Sequence, residues 1–154
     1  MKLSIKFIIL LFTCISILMV FNSNKVPNDQ IGFSLTVEVK DLRNSNGNII
    51  FALYNREDAF PDEHFKKCLK KVNGEIQNGT SSVSFQNLTG GKYAVSILHD
   101  ENNNGKIDKR FILPKEGIGF SNYQLVGISN RPEFVKASFN LNTNLNIKVT
   151  IIYL

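Results

Sequence analysis

Residues 85–100 run Phe85-Gln86-Asn87-Leu88-Thr89-Gly90-Gly91-Lys92-Tyr93-Ala94-Val95-Ser96-Ile97-Leu98-His99-Asp100, and the fold class turns on them. They form a strand, a Gly-Gly turn and a second strand, in which Tyr93, Val95 and Ile97 face one way and Ala94 and Leu98 the other. Outward toward the N-terminus, Ser82-Val83-Ser84-Phe85 keeps the two-residue period, and a turn-rich stretch from Gly74 to Gly79 precedes it. Ile49–Tyr54 is apolar on both faces, the pattern of a central strand. Phe33, Leu35, Val37 and Val39 alternate with polar residues, the pattern of a half-buried strand. Between these two strands Asn46-Gly47 is a strong short-range hairpin signal, so they are expected to pair with each other. Toward the C-terminus, Val135–Leu141 and Leu145–Ile151 alternate around a turn at Asn142-Thr143-Asn144, and a further strand is expected near Tyr123–Ile128. Residues 56–72 depart from the pattern. There Ala59-Phe60-Pro61-Asp62 opens an expected short helix, with Phe65, Cys68, Leu69 and Val72 on its apolar side and Lys66, Lys67, Lys70 and Lys71 on a solvated one. Short strands joined by turns, with one helical excursion, predict an all-β chain: an antiparallel β-sandwich of about seven strands with one short helix insertion.

Composition agrees with a packed core. The chain has 154 residues, 43% hydrophobic and 20% charged, with 12 Phe and 4 Tyr, which excludes disordered and polytopic membrane chains. Lys2 and Lys6 precede an apolar run from Phe7 to Phe21, and polar Asn22-Ser23-Asn24-Lys25 closes it. This is the layout of a secretory signal over residues 1–23, and the run is shorter than the ~20 residues that cross a bilayer comfortably. An uncleaved N-terminal anchor is the alternative, and the chain's one expected route to a membrane. Thr13 stands where a lipoprotein signal wants Gly or Ala before its cysteine, and the apolar run continues past Cys14. Residues 24–154 are then expected to form a single β-sandwich domain exported to the periplasm, the cell surface or the exterior. Losing residues 1–23 removes Lys2 and Lys6 and no acid, lowering the formal charge from +5 to +3. That is too mild to imply nucleic acid as a partner. One cysteine, Cys68, remains in the exported part, so no internal disulfide is expected. On an apolar stripe it reads as buried and inert rather than as a nucleophile beside His64.

The chemistry lies in Asp100-Glu101-Asn102-Asn103-Asn104-Gly105-Lys106-Ile107-Asp108. With Asp100 at position 1 of a calcium loop, Asn102 falls at 3, Asn104 at 5, Gly105 at 6, Lys106 at 7 and Asp108 at 9, the opening of the EF-hand pattern. Alternate side-chain oxygens turn inward as the chain curls, Gly takes the sharp turn, and Lys106 offers its backbone carbonyl. Hard oxygen donors suit Ca²⁺, and no His/Cys cluster exists to hold zinc. Position 12 is Phe111 rather than Glu, and strands rather than helices are expected on the flanks, so the loop is not an EF-hand. A remote carboxylate must close the shell, with Glu116 the first candidate and Glu101 the second. So few carboxylates imply a modest affinity, in the ~10⁻⁴ to 10⁻³ M class of extracellular modules. A metal-free Asx-rich turn is the alternative. The Gly-rich segment from Leu113 to Tyr123 is expected to be a long loop, either a binding loop with His99, Phe120, Ser121 and Asn122 or a cover over the calcium site.

Three stretches carry a family resemblance: Gly91-x-Tyr93-Ala94-Val95, then His99-Asp100-Glu101-Asn102-x-Asn104-Gly105-x-x-Asp108, then Pro114-Lys115-Glu116-Gly117-x-Gly119-Phe120-Ser121-Asn122. Together with Arg131-Pro132-x-Phe134 and the closing Ile152-Tyr153, they resemble the bacterial domain-of-unknown-function family 2141 from about Leu35 to Tyr153. The resemblance implies an exported bacterial domain and brings no catalytic signature. Phe85-x-x-Leu88-x-x-Gly91-x-Tyr93 also resembles the strand-turn-strand of transthyretin-like sandwiches, a likeness of fold alone. The purine-pathway hydrolases of that group carry a C-terminal Tyr-Arg-Gly-Ser, whereas this chain closes Ile151-Ile152-Tyr153-Leu154. No G-x-S-x-G, H-E-x-x-H or phosphate loop occurs. The functional expectation is a calcium-binding binding or accessory module of the cell envelope, with a protein or glycan surface as partner and no assigned catalytic residue. The alternative is a metal-dependent hydrolase using His99 as base beside Asp100 and Glu116.

Overall fold

A computed structural model describes residues 32–154; the expected signal or anchor at residues 1–23 lies outside the described residues. Two sheets face each other. The first has strand order β10-β1-β4, from β1 (Phe33–Val39), β4 (Ser81–Leu88) and β10 (Leu145–Val149), with β1 antiparallel to β4 and parallel to β10. The second has order β3-β2-β5-β8, from β2 (Asn48–Tyr54), β3 (Lys70–Gly74), β5 (Gly91–Asp100) and β8 (Gly117–Phe120). Strand β9 (Phe139–Leu141) pairs with the opening residues of β5, and β6 (Lys109–Arg110) with β7 (Leu113–Pro114) makes a small separate hairpin. Among the described residues no helix is long and apolar enough to cross a membrane.

The alternation in the sequence is obeyed strand by strand. Leu35, Val37 and Val39 of β1 meet Ile49, Phe51 and Leu53 of β2 and Val95 and Ile97 of β5 in the core between the sheets. Tyr93 belongs to that core, and its hydroxyl donates to the Thr89 carbonyl at 2.8 Å, pinning the turn that carries the chain from one sheet to the other. The opposite faces of β2 and β5 are buried as well. Ile50, Ala52, Tyr54, Ala94 and Leu98, with Ile118 and Phe120 of β8, are covered by a third layer of loops and short helical turns. Phe60 is the hub of that layer, edge-on to Tyr54, Phe120 and Phe134 at ring-centroid distances of 5.2, 5.8 and 6.1 Å.

Strand pairing departs from the sequence expectation in one consistent way. β1 and β2 do not form a hairpin; they lie in different sheets, and residues 40–47 cross between them with Leu42 buried. A strand apolar on both faces wins more burial in the middle of the covered sheet than beside β1, whose outer face is polar. The Gly90-Gly91 turn and the Asn142–Asn144 turn likewise connect the two sheets.

The excursion at 56–72 holds one 3-10 turn at Glu57–Ala59; beyond it, where Phe65, Cys68, Leu69 and Val72 were expected on a helix, the chain is irregular up to β3. Lys70 and Lys71, expected on a helix, lie instead on β3, where charged side chains protect an exposed sheet edge. Cys68 is half-buried against the outer layer, its Sγ donating to the Phe65 carbonyl, and burial pushes its thiol pKa up. No strand forms at Tyr123–Ile128. The expected long loop at 113–123 instead supplies β7 and β8, while Val135 belongs to a short helix α1 (Phe134–Ala137) ahead of β9.

The last residues leave the first sheet and bridge to the second. Ile118 and Ile152 exchange backbone hydrogen bonds at 3.0 and 2.7 Å. Gly117 permits this approach, since a Cβ there would stand 2.4 Å from the Tyr153 ring.

Because Phe51 is fully buried between the sheets and Lys71 lies on the exposed edge, Phe51→Ala is expected to cost about 3–5 kcal/mol of unfolding free energy. Lys71→Ala should stay within about 0.5 kcal/mol. Equilibrium urea unfolding of the two variants measures the contrast.

Candidate functional site

Strand β5 ends at Asp100, and the chain curls at once. Asp100 is 1% exposed, and its two oxygens accept the Asn104 N–H at 3.0 Å and the Gly105 N–H at 2.7 Å. The local cause is Asx chemistry. Asn102 Oδ1 accepts from the Asn104 N–H and Asn104 Oδ1 from the Lys106 N–H, each at 3.0 Å, so every second side chain folds back onto the backbone two residues on. Gly105 takes φ +76°, the left-handed turn the spacing calls for. The Asn102 and Asn104 amides both donate to one oxygen of Asp108, at 2.7 and 2.9 Å. The side chains of Asp100, Asn102, Asn104 and Asp108 are thus linked into one cluster, while Lys106 enters the network through its backbone.

Glu116 returns to this cluster from eight residues beyond Asp108. The β6–β7 hairpin brings it back, with the Lys115 N–H donating to the Asp108 carbonyl at 2.8 Å. Glu116 is 3% exposed, and its oxygens accept from the N–H groups of Glu101 at 3.0 Å and Asp108 at 3.4 Å, gripping both ends of the loop. Burial raises its pKa; the two N–H donors pull it down, and the charges of Asp100 and Asp108 push it further up. Among the described residues none of these three carboxylates has a cationic ion-pair partner. Nor do three His, Cys, Asp or Glu side chains stand close enough to hold an ion by themselves, again among the described residues. Any cation here must draw amide and carbonyl oxygens into its shell beside the carboxylates.

Glu101 is directed elsewhere. Arg43 donates to both of its oxygens, at 2.6 and 2.7 Å, and the Asn44 amide adds a third bond at 2.9 Å. These donors, Arg43 first, hold its carboxyl below the usual range. Arg43 also lies 4.5 Å over the Tyr153 ring, and its backbone N–H donates to the Tyr153 hydroxyl. His99 is fully buried behind this pair. Its Nε2 meets the Asn46 carbonyl at 3.0 Å, which requires a proton on Nε2, while Nδ1 meets the Tyr153 hydroxyl at 2.8 Å and lies 3.8 Å from Glu101 Oε1. With both nitrogens engaged inside the protein, His99 ties the loop to the C-terminal residues and to the 40–47 crossing.

Phe120 and Ser121 are buried too. Ser121 Oγ accepts the Val95 N–H and donates to the Ala137 carbonyl at 2.7 Å, and the Asn122 amide donates to carbonyls at the end of α1. These residues fasten α1 to the sheet. The segment from 113 to 123 therefore reaches the loop through Glu116 and does not present His99, Phe120, Ser121 and Asn122 together. Sequence reasoning did not link Arg43, Asn44 or Asn48 to this region. Asn48 sits opposite Asp100 in the β2–β5 register, its amide bonds Asn103, and its Oδ1 is buried without a partner. The Asn-rich run 44–48 was the available signal, masked by its equally good reading as a turn.

Tyr153→Phe removes the hydroxyl that meets His99 Nδ1 and accepts the Arg43 N–H. The expected cost is about 1–3 kcal/mol in denaturant unfolding, with the His99 Nε2-H tautomer retained in ¹⁵N NMR because the Asn46 carbonyl still holds it.

No curated protein and no solved structure matches this chain. A family model described as "Uncharacterized protein conserved in bacteria (DUF2141)" matches residues 37–149, from the core of β1 to the end of β10 and through the whole 100–116 site. With most of its length covered by that match, the chain belongs to the bacterial family DUF2141.

Proposed function

We propose that this protein is an exported module whose 100–108 loop binds Ca²⁺, using the ion to clamp the end of β5 to Glu116, and which serves as a binding or accessory protein at the cell envelope. The observation that carries the reading is the convergence of Asp100, Asp108 and Glu116 on one loop without a cationic partner. The raised pKa of Glu116, due to burial and then to its two acidic neighbours, is the electrostatic strain a divalent cation relieves. Asp100, Asn102, Asn104 and Asp108 supply side-chain oxygens and Lys106 a carbonyl, a hard donor set suited to calcium. Binding requires the two Asn amides to give up Asp108 and turn their oxygens toward the ion. That rearrangement, with few charged ligands, keeps the affinity modest. Export rests on the basic Lys2 and Lys6 before the apolar run from Phe7 to Phe21. A protein or glycan surface is the partner class such a module would serve.

Thermal unfolding of the full-length protein in EDTA and in excess Ca²⁺ tests the metal. At one hundred times Kd a native-state ligand adds about 2.7 kcal/mol, a rise of roughly 8 °C for a domain of this size. Asp108→Asn should abolish most of the rise while leaving the EDTA melting point nearly unchanged. An equal rise in the variant, or none in the wild type, overturns the calcium reading.

A further inference from the structure

The third layer does not cover the second sheet completely. Between the irregular segment after the 3-10 turn, the β6–β7 hairpin and the 126–132 turn lies a groove of about 620 Å³. That is the volume range of small-molecule sites. Its floor is formed by Ser96, Ile118 and Phe120. Its rim gathers Phe111, Ile112, Leu113, Ile128 and Leu154, five of the nine large apolar side chains exposed among the described residues. Phe111 is 93% exposed. Exposed apolar surface collected round one concavity, rather than scattered, marks a site for an apolar partner.

The polar groups in the wall say what else the partner carries. Glu63 and Lys109 are spent on each other at 2.6 Å, and the Asp62 carboxylate is taken by the N–H groups of His64 and Lys67. Two wall side chains are not spent, among the described residues. Arg131 has no ion pair, and Ser96, 3% exposed, lines the groove with a hydroxyl that has no hydrogen-bond partner. Arg131 stands exposed at the rim and the Ser96 hydroxyl opens into the groove, so one ligand head can meet both. Arg131 is a permanent cation, and the Ser96 hydroxyl can donate beside it. The complement is a molecule with a long apolar body and an anionic acceptor.

We propose that this groove binds a single-chain anionic amphiphile, a long-chain fatty acid, with its chain along the Phe111–Leu113 and Ile128 walls and its carboxylate taken up by the unspent donors Arg131 and Ser96. The site lies on the outer face of the second sheet, away from the close-packed core between the sheets. It uses none of the oxygens proposed for calcium, so it stands or falls apart from that reading.

Equilibrium dialysis of the full-length protein against radiolabelled dodecanoate below its micellar concentration, in EDTA and again in Ca²⁺, is the test. One saturable site is expected in both media. Arg131→Ala should weaken it about tenfold, the worth of one charge-assisted hydrogen bond, and Ser96→Ala by a smaller factor. Dodecanol, with the same chain and no charge, should bind wild type and Arg131→Ala alike. Ile112→Glu, an exposed substitution that spares the fold, should abolish binding by placing a like charge at the rim. Absence of saturable binding overturns the proposal. So does dodecanoate uptake indifferent to both Arg131→Ala and Ile112→Glu, which would belong to the apolar run from Phe7 to Phe21. Displacement of dodecanoate only by an apolar peptide with a free C-terminal carboxylate, at far lower concentration than by other fatty acids, overturns it in favour of a protein partner.

Discussion

From Tyr93 to Asp100 strand β5 is buried residue after residue, and the molecule is arranged around that constraint. A strand buried on both sides over that stretch must be paired along both edges and covered above and below, because each unpaired backbone group and each uncovered apolar side chain would cost free energy. β2 runs along one edge, and β9 and β8 share the other. The first sheet covers Tyr93, Val95 and Ile97, and the aromatic layer around Phe60 covers Ala94 and Leu98. Where the pairing runs out, at Asp100, the backbone turns back on a side chain instead of on another strand. The loop is the end of the most constrained strand in the fold, which gives it a rigid base.

Two polar assemblies flank that base and divide the labour. On the inner side His99, Tyr153, Arg43 and Glu101 form a closed network in which every strong donor meets an acceptor. It ties the C-terminal residues and the 40–47 crossing to β5. On the other side Asp100, Asp108 and Glu116 keep negative charge without a cation, met by backbone N–H groups at Asp100 and Glu116 and by two Asn amides at Asp108. The first network is closed on itself, whereas the second is the one on which the calcium proposal rests. Adjacent residues 99 and 100 can belong to such different assemblies because successive side chains of a strand point to opposite faces.

The strands and their faces were legible because period-two alternation is a local property: Phe33 to Val39, Ile49 to Tyr54 and Tyr93 to Leu98 each declare which residues lie together. The same residues do not declare their partners. Asn46-Gly47 reads as a hairpin turn on local chemistry, yet β1 and β2 are separated because β2 must be buried on both faces, a demand only the whole sheet can meet. Helical spacing of Phe65, Cys68, Leu69 and Val72 was likewise a local coincidence. Cover for the outer face of β2 required an irregular strap carrying Phe60 and Phe65, and edge pairing drew Lys70–Gly74 into β3. At the site, the Asx residues of 100–108 and the turn glycine were legible because their bonds to one another span no more than six residues. Glu116 could be named as a nearby carboxylate, but its grip on both ends of the loop depends on the β6–β7 hairpin. The engagement of both His99 nitrogens depends on Tyr153 and Asn46, fifty residues away on either side.

The sequence by itself determined the all-β class, the two-faced burial of the central strands, the membership of the family and the oxygen-rich curl after Asp100. Each of these rests on interactions between residues a few positions apart, or on a pattern of residue types that needs no coordinates. Tertiary structure alone decided which strands share a sheet, that Glu101 turns to Arg43 while Glu116 turns to the loop, and that the third layer leaves a groove over Ser96. Those outcomes depend on pairing and packing between distant segments, and a chain can satisfy the same local preferences in several such arrangements. The one it adopts is the one that leaves the fewest buried groups uncovered and unpaired.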